Sequence, residues 1–416
     1  MLPTVPVAPK HVDNYAEAAG GEAVDRLREA AKPLQGARFL QVNSTAFGGG
    51  VAELLHTHVP LLQDLGIEAT WALIEGDEAF FALTKGIHNA LQGAPLDWGP
   101  EQEAAYWERI RANAELLAEL ADPFDFVLIH DPQPAGLILA LDDLGPREGK
   151  WMWRCHVDLS SPNPTVWAFF EPIVNRYDAV IFTMEDYRQP GVVGPHVAFI
   201  PPSIDPLSPK NAPLAPETVR ETLIRYGIDP DRPLMTQVSR FDPWKDPIGV
   251  IDAFFLARME IPDLQLLIAG SMAHDDPEGM RFLDLTEARR DGHPDVHLLT
   301  DLQGVGNLEI NAFQRGSTVV VQKSLREGFG LVVTEAMWKG KAVVAGNVGG
   351  IRLQVVDGET GYLVSSIEDC AARVVELIRD PERRERMGLA ARERVRERFL
   401  SLREIEDHLR LMASLG

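Results

Sequence analysis

Short apolar runs recur along the chain, each followed by a turn of glycine or polar residues and then by apolar positions at helical spacing. The first run, Ala37–Val42, reads as a buried strand. Asn43 to Gly50 is a turn ending in Gly48, Gly49 and Gly50, and Val51 to Leu65 is an amphipathic helix stopped near Gly66. Glu68–Ile74 is the next strand, which makes a βαβ unit with a glycine-rich first crossing. The same rhythm continues through a helix over Glu101–Ala121 and strands at 126–130, Trp151–Cys155, Asp178–Phe182 and His196–Ile200. It resumes with strands Leu234–Val238, Leu264–Ala269, Val296–Leu299, Thr318–Gln322 and Ala342–Ala345, with helices over Ile248–Met259, Glu309–Gln314 and Leu331–Lys339 among them. Alternating strands and helices predict doubly wound parallel sheets.

The alternation breaks once. Pro201 to Pro216 holds six prolines in sixteen residues, which bars a helix interior or a central strand. It reads as a stiff linker between a first domain, 1–200, and a second, 217–399. Residues 1–35 form a leader with a helical pattern at Glu22–Ala31 and no assigned chemistry. Glu382–Arg398 is a mostly solvated helix with Met387, Val395 and Phe399 turned inward. The last segment, about 400–416, is expected to join the first domain.

Composition narrows the class. A chain of 416 residues suits two domains, and 45% hydrophobic residues supply their cores. A net charge of −22 argues against nucleic acid or an anionic membrane as partner. No apolar run reaches membrane-span length, no signal peptide opens the chain, and Cys155 and Cys370 form no framework or metal pattern. A cytoplasmic enzyme fits.

The richest stretch is Arg326 to Gly340, a glycine turn between a strand and a helix, with Gly340 at the helix end. Free N–H groups of a helix's first turn bind anions, and Glu327 and Glu335 can accept hydrogen bonds from sugar or ribose hydroxyls. A loop with one capping and one solvated Glu reads equally well from this stretch alone. Arg240 and Lys245 follow the second domain's first strand and would supply the local positive charge that an acidic protein needs for a diphosphate, although on their own they read more simply as a surface Arg and Lys. Two strands of the first domain end in a histidine with an aspartate nearby, His130 with Asp131 and His156 with Asp158. Ligands of open α/β sheets sit at such carboxyl edges, although Asp131 could equally cap the helix that starts near Pro134. Gly48–Gly50 misses the dinucleotide fingerprint, so a structural turn and a close backbone approach both remain open. Asp142-Asp143 and Asp275-Asp276 read as structural. No Lys or Arg lies between Asn43 and Leu55, and the neutral side chains of Asn43, Ser44 and Thr45 suit an uncharged sugar.

Glu327 and Glu335, with seven residues between them and Gly-Phe-Gly after the first, resemble the signature of retaining GT-B glycosyltransferases of the glycogen-synthase-like group, family 4. Gly49–His56, His130–Pro134, Trp153–Asn163, Gln237–Lys245, Pro201–Ser208, Met272–Gly279 and Arg326–Gly330 are similar to stretches of the trehalose glycosyltransferring synthases within that group. The resemblance implies two Rossmann-like domains with a cleft between them. It implies a retaining transfer of glucose from a nucleoside-diphosphate glucose to the anomeric hydroxyl of glucose, giving α,α-trehalose and NDP, with reversal open. A trehalose phosphorylase or another α-glycosyltransferase of the same fold is the alternative, and a sugar-nucleotide sensor is the non-enzymatic one.

The resemblance also implies roles. His156, Arg240, Lys245 and Glu327 would be catalytic. Gly49, Gly50, Gly328, Phe329, Gly330, Leu331 and Glu335 would join Arg240 and Lys245 in holding the donor, with Thr300–Asn307 as the nucleobase wall. Asn43, His130 and Asp131 would hold the acceptor. It implies no cofactor and no required metal, leaves magnesium stimulation and a homodimer open, and gives NDP-glucose, glucose and trehalose as the small-molecule partners, with no nucleic acid and no membrane.

Overall fold

The computed structural model describes residues 1–47, 49–119, 124–270 and 277–416. Gly48, the expected helix end at Ala121, Asp275, Asp276 and the start of the Met272–Gly279 stretch lie outside the described residues. The chain divides into two units, Met1–Ser203 with Ser401–Gly416, and Ile204–Leu400. Of the proline-rich stretch, Pro201, Pro202 and Ser203 stay with the first unit.

The first unit carries strands β1 (Arg38–Asn43), β2 (Glu68–Leu73), β3 (Phe126–His130), β4 (Lys150–Cys155), β5 (Ala179–Phe182) and β6 (His196–Phe199). They form one sheet in the order β2-β1-β3-β4-β5-β6, and the neighbouring strands run parallel throughout. All five residues of β3 are buried, as a strand covered on both faces requires. Val127 and Ile129 face one core, with Trp153 and Phe170; Phe126 and Leu128 face another, with Leu55, Ile405 and Leu409. Chain order doubles back between β1 and β3, so the crevice expected for a ligand opens between Asn43 and His130.

The leader is part of this unit rather than an appendage. Val5 N–H donates to the Trp71 carbonyl at 2.9 Å, and Leu73 N–H donates to the Pro3 carbonyl at 2.9 Å. Helix Gly21–Ala31 buries Val24 and Leu27 in the core that also holds Leu402, Ile405 and Leu409 of the last helix, Ser401–Leu415. The helix period at 22–31 therefore carries a packing face.

The second unit carries β7 (Leu234–Val238), β8 (Gln265–Gly270), β9 (Val296–Thr300), β10 (Val319–Gln322), β11 (Val343–Gly346) and β12 (Gly361–Val364). They run parallel in the order β12-β11-β10-β7-β8-β9, which reverses between β7 and β10. Strand β12 and helices Glu78–Leu91, Pro164–Val174 and Ile367–Arg379 add to the elements the hydrophobic pattern predicts. Met387, Val395 and Phe399 of the charged helix are buried, and its arginines stay largely in solvent. Among the described residues no helix is long and apolar enough to cross a membrane.

Candidate active site

In the second unit the loops after the two switch-point strands meet. Asp242 accepts from Trp244 N–H at 3.0 Å and from Lys245 N–H at 3.1 Å, which shapes the β7 loop as a short turn. The Lys245 carbonyl accepts from Gln237 Nε2 at 2.7 Å, and Leu325 N–H donates to the Trp244 carbonyl at 2.7 Å, tying this loop to the one after β10. Across that seam Lys245 Nζ lies 2.6 Å from Glu327 Oε2, which also accepts from Ser324 Oγ at 3.2 Å. Arg240 stands on the same loop, 58% exposed, with Asp242 Oδ2 at 3.6 Å. One cation is thus fixed against a carboxylate and the other is left reaching into solvent.

The glycine turn follows directly. Gly330 has φ +89°, a left-handed conformation that L side chains adopt at a cost, and it opens helix Leu331–Trp338. A Cβ on Gly350 would come within 2.5 Å of the Gly328 carbonyl, so the 349–350 loop closes tightly under the turn. Phe329 is buried with its carbonyl accepting from Gln354 Nε2 at 2.5 Å. Val333 N–H donates to the Gly330 carbonyl at 2.9 Å, closing the first turn of the helix. One helical turn on, Glu335 is 1% exposed. Its Oε1 lies 3.4 Å from Lys210 Nζ, and its Oε2 is buried with no hydrogen-bond partner. Burial pulls Lys339 down to about 7, against the raising pull of Glu335.

In the first unit the strand-end residues gather as well. Asp131 takes φ +65° just past β3, and its Oδ1 accepts from His156 N–H at 2.8 Å. It caps no helix; it fixes the backbone of the second histidine. Burial pushes its carboxyl up to about 7, against the pull of that N–H and of Arg154. His130 Nδ1 lies 3.0 Å from His156 Nε2, with the rings stacked 21° apart at a 5.4 Å centroid distance. His130 Nε2 lies 3.2 Å from Gln41 Oε1. Burial first, then the Arg154 charge, holds both imidazoles well below the usual histidine range, so both are neutral. Gly49 is the extended N-cap and Gly50 the first residue of helix Gly50–Asp64. His56 Nε2 sits 3.1 Å from the Ala46 carbonyl and steadies the preceding turn.

Asn43 is tied into the turn after β1. It is buried, its Nδ2 donates to the Thr45 carbonyl at 2.7 Å, and its Oδ1 accepts from Trp71 Nε1 at 2.7 Å. Both ends of the amide are engaged in building the turn, because a buried amide must be satisfied. One amide proton and one oxygen lone pair are thus used inside the chain. Asp158 is likewise turned inward and accepts from Ser160 N–H at 2.9 Å.

A buried charged cluster lies behind the histidines and has no counterpart in the sequence reading. Arg154, in register with His130 across β3 and β4, places Nη2 2.5 Å from Glu404 Oε1 and Nη1 2.7 Å from His408 Nε2. His408 Nδ1 donates to the Glu404 carbonyl at 2.8 Å, which leaves Nε2 to accept from the arginine. His58 Nε2 lies 3.4 Å from Glu404 Oε2, which also accepts from Ser203 Oγ. Burial alone would raise the Glu404 carboxyl, but Arg154 and His58 outweigh it and hold it well below the carboxylate range. His58, Glu404 and His408 have metal-ligand spacing. The Arg154 guanidinium already reaches two of the three, so a cation is built into the cluster. The available signal was Gln41 and His58, polar residues within buried stretches of strand and helix.

Two six-stranded parallel sheets, with cations, carboxylates and a glycine turn at the second switch point, define a GT-B glycosyltransferase. Residues 41–189 match the family model described as trehalose synthase, N-terminal domain, and residues 220–394 match glycosyl transferases group 1. The chain is 47% identical over 416 residues to a trehalose synthase of Rubrobacter xylanophilus, covering 100% of this chain and 99% of the relative. It is 47% identical to one of Pyrococcus horikoshii, covering 98% and 97%. The chain belongs to the trehalose synthase family. A UDP-forming α,α-trehalose-phosphate synthase from Burkholderia xenovorans has the same fold, with a TM-score of 0.73 at 16% identity, covering 91% of this chain and 99% of that one.

Proposed function

We propose that this chain transfers glucose, with retention, from a nucleoside-diphosphate glucose to the anomeric hydroxyl of free glucose, releasing α,α-trehalose and the nucleoside diphosphate. The observation that carries the donor half is the meeting of Lys245 and Glu327 beside the Gly330 turn. Negative charge grows on the leaving diphosphate as the bond to the anomeric carbon breaks. Lys245, Arg240 and the N-terminus of helix Leu331–Trp338 are fixed positive groups in the same unit, and such groups act most strongly where charge develops. Glu327 takes the donor-sugar hydroxyls, and the unpartnered oxygen of Glu335 takes the ribose. His156, neutral and held by Asp131, takes a sugar hydroxyl on the first unit's side, and His130 stands behind it.

The acceptor is uncharged. A sugar phosphate needs a cation, and the turn from Asn43 to Leu55 has no Lys or Arg. Arg154 is 2% exposed and engaged by Glu404 and His408, so it does not supply one there. Cys155 and Cys370 are buried free thiols, which suits a cytoplasmic enzyme. The test gives the enzyme one nucleotide-glucose donor with glucose and glucose 6-phosphate in parallel. A higher kcat/KM for glucose supports the assignment, and a higher value for glucose 6-phosphate overturns it.

A further inference from the structure

Gln41 lies on β1, beside β3, and its side chain is 2% exposed. Its oxygen is the far end of a line of three groups, Gln41 Oε1, His130 and His156, spaced at 3.2 and 3.0 Å. A neutral imidazole carries one proton, so each ring in such a line has its donor and acceptor ends set by the neighbour. Starting from a carbonyl oxygen, His130 must carry its proton on Nε2. Its Nδ1 is then a lone pair and can only accept, so His156 must donate from Nε2. The one remaining ring position, Nδ1 of His156, is left unprotonated.

The line holds only while both rings stay neutral, and the surroundings provide for that. Arg154 from β4 places its charge on the same face of the sheet as His130. Glu404 and His408 from the last helix fix the guanidinium, His58 of helix Gly50–Asp64 faces the same carboxylate, and Asp131 sits past the end of β3. Gln41 Nε2 is buried with no partner. The amide oxygen is the end that meets His130, and it sets the direction of the line.

We propose that Gln41, acting through His130, is a positioning residue that fixes His156 as its Nε2–H tautomer and so presents Nδ1 as a hydrogen-bond acceptor to a substrate hydroxyl. This rests on the placing of His156 beside the sugar. The test is two-bond proton–nitrogen NMR on the full chain labelled with 15N-histidine, with His156→Gln and His130→Gln used to assign the signals. The expected wild-type spectrum shows His156 protonated on Nε2 only, and Gln41→Leu shows both tautomers with kcat lowered about tenfold and donor KM little changed. A wild-type His156 protonated on Nδ1 would overturn the proposal, and that spectrum needs no variant of Gln41 to fold. So would an unaltered tautomer in Gln41→Leu. A changed tautomer with full kcat in Gln41→Leu, while His156→Gln loses activity, would overturn the positioning role alone. Full kcat in both variants would overturn it through the place of His156 itself.

Discussion

Lys245 Nζ and Glu327 Oε2 stand 2.6 Å apart although 82 residues separate them in the chain. Their strands, β7 and β10, are neighbours only because the sheet order reverses there. The pair ties the loop after β7 to the loop after β10. Glu327 holds the lysine in place, so the position of the cation is fixed by the folded chain itself.

Lys245→Ala should therefore act on turnover. The expected result is a fall in kcat of about 10²-fold with a much smaller change in donor KM, because the charge it meets develops on cleavage. Arg240→Ala should fall in the same sense by less, since Arg240 stands 58% exposed. Steady-state kinetics with a nucleotide-glucose donor measure both. A Lys245→Ala enzyme with full turnover would remove it from the leaving-group site.

Glu335 should behave in the opposite way. In the proposed role its buried oxygen holds the ribose before and during the reaction, so Glu335→Ala should raise donor KM about tenfold or more with kcat nearly kept. Calorimetric titration with the nucleoside diphosphate should show the same loss of affinity. Unchanged binding would mean that Glu335 serves only to hold Lys210.

The first unit should lose stability as pH falls below about 6.5. Burial, then Arg154, depresses His408, His130 and His156, whose ordinary pKa is 6.5. Below that pH the unfolded chain binds protons that the folded chain refuses, so stability present above it is lost. Each such histidine takes away up to about 1.4 kcal/mol per pH unit. Asp131, raised to about 7, has the opposite sign: its contribution is full below 3.8 and is lost as pH climbs to 7. Thermal unfolding of His408→Gln should fall less steeply from about pH 7 to 5.5 than that of the wild type. Equal slopes would show that folding does not lower the pKa of His408.

Much of this was legible in the sequence because it is local. The strand–glycine–helix order at Val319–Trp338 follows from β-branched residues, a residue that tolerates positive φ, and an apolar helix. The sheet edges at His130 and His156 follow from where apolar runs stop. What was hidden depends on contacts distant in sequence. Glu404 and Arg154 lie 250 positions apart and meet only because the last helix packs under the first sheet. The leader at 1–35 carries no chemical motif, and what its apolar positions pack against, a core shared with that same helix, depends on contacts distant in sequence. Asn43 read as an open polar group because nothing in the sequence shows that Trp71 lies across from its amide.

The most direct test of the central claim is to incubate the full chain with a nucleoside-diphosphate glucose and free glucose, without inorganic phosphate, and to follow the sugars and nucleotide by NMR. The account predicts α,α-trehalose and nucleoside diphosphate forming in equal amounts, with both anomeric centres in the α configuration. Trehalose appearing only when glucose 1-phosphate replaces the nucleotide sugar, or a product other than the α,α-disaccharide, would contradict it.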